Sequence, residues 1–161
     1  SNRIAIYKKM EDIELILRFF ALRHAREFKN GKIDFLDSYM RKTTTFKQED
    51  IDFLDNIFSK TIRLADSIYG EKLFKPFDIN KQEWSNRSYK EYYDAVMVGC
   101  SYNLENEGKL IQRKEQVIDA TRLLLSNKTN YKLFTGEGST KAGIQKRIEL
   151  FSQMLDRVAK N

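Results

Sequence analysis
One cysteine, one proline, one histidine and one tryptophan stand among the 161 residues of this chain. A single thiol, Cys100, excludes an intramolecular disulfide, and with it the small disulfide-stapled scaffolds, and it suits a reducing compartment. A single histidine, His24, leaves no partner for a histidine-rich zinc centre and only one candidate base for serine or cysteine nucleophile chemistry. No elbow motif surrounds any serine, and Cys100 lies among Val98, Gly99 and Tyr102, where it reads as core. No apolar run approaches the roughly 18 residues of a membrane span, and no signal-peptide pattern is present, so the expectation is a cytoplasmic protein with no membrane role. Glycine is sparse too. Gly136-Glu137-Gly138-Ser139 lacks the spacing and the lysine of a phosphate-cradling loop and reads as a connector. The lone proline, Pro76, falls in a stretch without helical periodicity, where proline is expected.

What the chain does have is charge and helical pattern. With 32% charged and 41% hydrophobic residues it has the make-up of one ordinary globular domain. The net charge of +6 permits contact with nucleic acid, although lysine and arginine are spread along the chain instead of forming one block. Residues 1–9 read as a short tail or cloning remnant. Ser1-Asn2 without an initiating methionine resembles a protease scar, which would make residues 10–161 a helical domain cut from a longer protein.

The periodicity predicts an all-α fold, an irregular bundle or array of about six helices. The first, Met10 to Phe28, places Ile13, Leu17 and Phe20 on one side and Leu15, Phe19 and Leu22 on the other, the signature of a buried helix. Together with a short helix at Ile33–Met40, after the stop at Asn30-Gly31, it is expected to be the element around which the chain is organised. Thr45 with Gln48 reads as a capping box for a third helix whose apolar arc runs from Ile51 to Tyr69, with Asp52, Lys60, Arg63 and Ser67 opposite and Gly70 closing it. Residues 70–87 read as an irregular loop. Ser88 with Glu91 reads as the cap of a fourth helix reaching Tyr102. A fifth is expected from Gly108 to Leu125, a polar connection from Ser126 to Ser139, and a last helix with the stripe Ile144, Ile148, Phe151, Leu155 and Val158. No stretch alternates for long enough to suggest a sheet.

Two arginines point into apolar surroundings, Arg18 between Leu15 and Leu22 and Arg147 between Phe151 and Met154. A buried guanidinium needs a partner. Either each pairs with a carboxylate such as Glu14 or Glu91, or both face a shared cleft and hold phosphate through their forked donors. Tyr89, Tyr92 and Tyr93 admit a base-stacking reading, but their shared arc places them at the edge of the core. A DNA-binding module would gather Lys8, Lys9, Arg23, Arg26, Lys141 and Lys146 on one surface; a protein-interaction module would expose an apolar patch. No cofactor and no metal site are expected.

Several stretches, in order, resemble the downstream helical half of DUF262, a bacterial domain-of-unknown-function family known from GmrSD-type restriction and phage-defence proteins. They are Glu14–Leu22 (ELILRFFAL), Phe35–Met40 (FLDSYM), Ile57-Phe58 through Ile68-Tyr69-Gly70, Leu73-Phe74, and Thr140–Leu155 with Lys146-Arg147-Ile148 in its terminal helix. The resemblance implies a missing upstream half with a ParB- and sulfiredoxin-like fold and a DGQQR motif linked to NTPs, and in some members a downstream HNH nuclease. Neither motif occurs in this sequence. The resemblance therefore implies a non-catalytic helical module that scaffolds the nucleotide-binding half, with DNA as a further partner, and it matches Arg18 and Arg147 to arginines of the family pattern. The alternative is a helical protein-interaction domain with no nucleic-acid role.

Overall fold
The computed structural model describes residues 13–24, 47–137 and 140–161. Seven α-helices occur among them: α1 (Ile13–Arg23), α2 (Gln48–Tyr69), α3 (Lys90–Ser101), α4 (Glu107–Gln112), α5 (Lys114–Leu125), α6 (Lys128–Thr135) and α7 (Lys141–Lys160). The all-α expectation holds, with one addition. Phe77–Asp78 (β1) and Glu83–Trp84 (β2) pair antiparallel, Phe77 opposite Trp84, as a two-residue hairpin inside the stretch read as irregular. Such short strands carry too few residues for alternation to be visible in the sequence. The tail at 1–9, the short helix at Ile33–Met40, Thr45, Lys8, Lys9 and Arg26 lie outside the described residues.

The centre of the bundle is α3. Every residue from Tyr92 to Ser101 is buried, and α1, α2, α6 and α7 all pack against it. A helix buried on all sides has no polar face, and sequence periodicity reads such a helix poorly. Asp94 adds to the concealment, because a carboxylate in the middle of the run looks like a solvent-facing position. The role expected for the first helix therefore belongs to α3. Helix α1 is a flanking element: Phe19, Phe20, Ala21 and Leu22 are buried, while Leu15, Ile16 and Leu17 remain half-buried.

Packing of α7 across α3 depends on Gly99. A Cβ there would lie 2.8 Å from Phe151 Cδ1 and 3.3 Å from the Ser152 backbone nitrogen. Asn103 clamps the same crossing, its Nδ2 donating to Gly99 O at 2.9 Å and approaching Ser152 Oγ at 3.2 Å. The stripe expected along α7 is present, since Ile144, Ile148, Phe151 and Leu155 are buried, with Met154 and Ala159 beside them. Thr140 caps this helix by accepting from Gly143 N at 3.1 Å.

Helix ends depart from the expected pattern in three places. The fourth helix begins at Lys90 with Tyr89 at its cap and no side-chain hydrogen bond there, so the Ser88–Glu91 box is not formed. The expected fifth helix is two helices broken at Arg113, whose φ of −103° and ψ of 29° leave the α region. In exchange Arg113 Nη1 donates to Val158 O at 2.8 Å, satisfying a carbonyl in the last turn of α7. The connection at 126–139 contains α6, started by Asn127 Oδ1 accepting from Asn130 N at 3.1 Å and anchored by Phe134, its one fully buried side chain. A helix this short offers too few apolar positions to register as periodic.

Helix α2 is two-part. Its C-terminal half buries Thr61, Ile62, Leu64, Ala65, Ile68 and Tyr69, and the expected outward positions Asp52, Lys60, Arg63 and Ser67 are exposed. Its N-terminal half leaves Ile51 49% and Phe53 61% exposed. Asp50 Oδ2 accepts from Lys47 N at 2.9 Å, closing the first turn. Gly70, with φ of 55°, ends the helix.

Gly99→Ala should destabilise the chain by about 1–3 kcal/mol, because the nearest obstacles are a buried ring and a helix backbone that can give only by moving α7. Urea unfolding followed by circular dichroism reads this directly, and an unchanged midpoint would mean that α7 shifts without cost.

Candidate functional site
Arg18 is paired with Asp94, and Arg147 lies within electrostatic reach of the same carboxylate. From α1, Arg18 Nε donates to Asp94 Oδ1 at 2.6 Å and Nη2 to Oδ2 at 2.5 Å, a two-pronged fit of guanidinium to carboxylate. Asp94 is wholly buried and Arg18 is only 5% exposed. From α7, Arg147 is 0% exposed and donates through Nη1 to Leu133 O of α6 at 2.9 Å. Burial lowers the Arg147 pKa from its ordinary value; Asp94 and Glu91 push it back up, and Arg18 lowers it. Four charges from three helices thus feel one another. Glu91 lies one turn before Asp94 on the same helix and is half-buried.

Of the two readings open for the arginines, the ion pair is the one realised for Arg18, and its buried partner is Asp94; the Glu14 side chain lies outside the described residues. Both forks are enclosed by helices, so neither is presented to a phosphate in solvent. Asp94 itself escaped sequence reasoning. The available signal was its isolation: it is the sole charged residue between Tyr92 and Ser101, flanked by tyrosines, Ala95, Val96 and Met97.

The remaining candidates are scattered. Arg23 Nε donates to Ser101 Oγ at 3.0 Å, its guanidinium lies 5.9 Å from the Tyr102 ring, and its carbonyl accepts from Tyr102 Oη at 2.5 Å, which ties the end of α1 to the end of α3. Lys141, half-buried, opens α7, and Lys146 is exposed further along it. Tyr92 and Tyr93 are buried, so neither offers a ring face to a base. Tyr92 packs edge-on against Phe134 and Phe151, and Tyr93 Oη donates to Leu15 O at 2.9 Å. Only Tyr89 of that trio is half-exposed.

Cys100 is enclosed in the core, where burial pushes its thiol up to about 12. A thiol of that kind is a poor nucleophile at neutral pH. Burial likewise raises the Tyr92 phenol, followed by the effect of Cys100 beside it. Among the described residues no group of three or more histidines, cysteines and carboxylates is placed to hold a metal ion, and no helix is long and apolar enough to cross a membrane. No protein-family model, no curated protein and no solved structure matches this chain.

Removing one member of the buried pair leaves the other charge uncompensated, so Asp94→Ala should cost about 3–5 kcal/mol, while Arg18→Met with Asp94→Leu should recover most of that loss. Comparison of the unfolding midpoints of the single and double variants checks both numbers. Alkaline pH should also weaken the fold. The unfolded Cys100 thiol ionises near its ordinary 9.0 while the native one is held up to about 12. Its contribution is therefore fully present below pH 9 and is lost as pH rises through that window, at about 1.4 kcal/mol per unit. Cys100→Ala should flatten that part of the stability–pH curve.

Proposed function
We propose that this chain is a non-catalytic helical module of an NTP-dependent bacterial restriction or anti-phage protein, scaffolding a nucleotide-binding half and adding a contact to DNA. The family resemblance supplies the restriction context. The scaffold role is supported by one observation: both arginines that match the DUF262 pattern, Arg18 and Arg147, are spent in the core, holding α1, α3, α6 and α7 together around Asp94. Arginines placed so act on the shape of the module and only through it on chemistry elsewhere.

A second reading, a protein-interaction domain with no nucleic-acid role, is favoured by the exposed Ile51 and Phe53 on the first turns of α2. Both readings make this chain a support for something else, and they differ in what that is.

The deciding variant replaces Arg18 by Met and Asp94 by Leu together in the longer protein that the restriction reading requires. Since the Arg18–Asp94 pair is removed together and Arg147 keeps Leu133 O and half-buried Glu91 nearby, the fold should persist, and NTP-dependent restriction of incoming phage DNA should persist within about threefold. A variant that folds but no longer restricts would return Arg18 to a ligand-binding role and overturn the scaffold reading. Replacing Ile51 and Phe53 by Ser should leave restriction intact as well; loss of activity there would favour the interaction domain.

A further inference from the structure
The hairpin and α6 form a second polar feature, on the surface. Trp84, Tyr89 and Tyr131 are half-exposed rings at this place. Trp84 stands edge to face with Phe77 at 5.5 Å. Burial and then the nearby Asp78 and Tyr89 raise the Tyr131 phenol from its ordinary value, with Arg87 lowering it, which puts Tyr131 of α6 within electrostatic reach of the hairpin and of Tyr89. Cations are interleaved with the rings. The Arg87 guanidinium sits 4.4 Å above the Tyr89 ring, Lys72 Nζ 5.9 Å from Trp84, and Arg122 at the end of α5 5.6 Å from Phe77. On α6, Lys128, Tyr131 and Lys132 follow the i, i+3, i+4 spacing of one helix face.

Residues 72–90 hold five lysines and arginines against Asp78 and Glu83, with Glu71 and Glu91 directly outside the two ends, and residues 122–132 hold three against none. The acids at the borders engage weakly: Asp119 meets Arg122 at 3.5 Å and Glu137 meets Lys132 at 3.9 Å, both in exposed pairs that solvent screens. Arg87 and Lys128 make no ion pair among the described residues, and both are exposed. Cation–π contacts alone would account for pinning the hairpin down. Lys128 and Lys132 add two exposed cations, one turn apart, on the face of α6 that carries Tyr131.

We propose that this face binds single-stranded nucleic acid, with Trp84, Tyr89 and Tyr131 meeting bases and Arg87, Arg122, Lys128 and Lys132 meeting phosphates. Ring stacking requires bases that are free of a duplex stack, and phosphate contacts along one strand need cations spaced beside the rings. This gives the nucleic-acid part of the proposed function a location and a ligand class, and it stands without the restriction-system part. It is also a different set of residues from Arg23, Arg26, Lys141 and Lys146.

Trp84 is the only tryptophan in the chain, so intrinsic fluorescence reports on this face alone. The experiment titrates the whole chain with oligothymidylate of about twelve nucleotides and, separately, with a duplex of the same length, following tryptophan emission and the anisotropy of the labelled oligonucleotide. Single strand should quench Trp84, and with four phosphate contacts its affinity should fall roughly fiftyfold between about 50 and 200 mM salt. Lys128→Ala with Lys132→Ala should weaken binding at least tenfold, Arg87→Ala should weaken it measurably, and Lys141→Ala with Lys146→Ala should change it less than twofold. Thermal melts of these surface variants confirm that each is folded. Absence of binding at low salt overturns the proposal. So does binding that leaves Trp84 unquenched and is insensitive to Lys128 and Lys132, or a duplex that binds as tightly with the same quench. None of these outcomes bears on the Arg18–Asp94 test, so the two readings fail separately.

Discussion

The carboxylate of Asp94 sits at the middle of the helix on which α1, α2, α6 and α7 pack. Because α3 is enclosed by α1, α2, α6 and α7, an ionised side chain on it has no route to water, and it is tolerable only with a cation supplied from a neighbour. Arg18 supplies it with both prongs. The consequence is positional. Residue 18 of α1 must lie opposite residue 94 of α3, and a slip of one turn would leave two buried charges apart. A core of leucines and phenylalanines would tolerate that slip with modest loss; this one does not. Arg147 brings α7 and α6 into the same electrostatic neighbourhood, with half-buried Glu91 moderating the surplus positive charge.

Around that centre the polar contacts of the interior mostly join helix to helix. Asn103 Nδ2 reaches Ser152 Oγ at 3.2 Å where α3 crosses α7, Tyr69 Oη meets Thr121 Oγ1 at 2.7 Å between α2 and α5, and Arg113 joins the α4–α5 break to the last turn of α7. Each bond is possible only when both helices are in place, so the hydrogen bonds and the apolar burial depend on the same arrangement. Interior chemistry is correspondingly quiet: Cys100 and Tyr92 are held in their neutral forms by burial, and the arginines are occupied. The groups with freedom to meet a ligand are at the surface, where rings and cations crowd the hairpin and α6.

Amphipathic elements were legible from sequence because their chemistry is periodic. The C-terminal half of α2 and the stripe of α7 bury the residues that a 3.6-residue repeat selects, and Gly70 ends α2 as its backbone freedom allows. Elements that break periodicity were not legible. Helix α6 has a single fully buried side chain, the α4–α5 break is decided by a carbonyl at the far end of α7, and the hairpin is two residues per strand. Of the site, the two arginines could be picked out because a guanidinium among leucines and phenylalanines is anomalous wherever it occurs. Their partner could not, because which carboxylate faces Arg18 is set by a contact 76 positions away in the chain.

Composition and periodicity by themselves determined that this chain is helical, that Arg18 and Arg147 point inward, that Cys100 and the tyrosines of α3 lean towards a core, and that positive charge is in excess. These are properties of single residues and their near neighbours, which is the range over which a helix repeats. The tertiary structure alone decided that α3 and not α1 is the central helix, that Asp94 is the partner of Arg18, and that Tyr131 of α6 comes within reach of Tyr89 and the hairpin. Each of those depends on which helices touch, and that is settled by the joint requirement to bury apolar surface while leaving no buried charge alone.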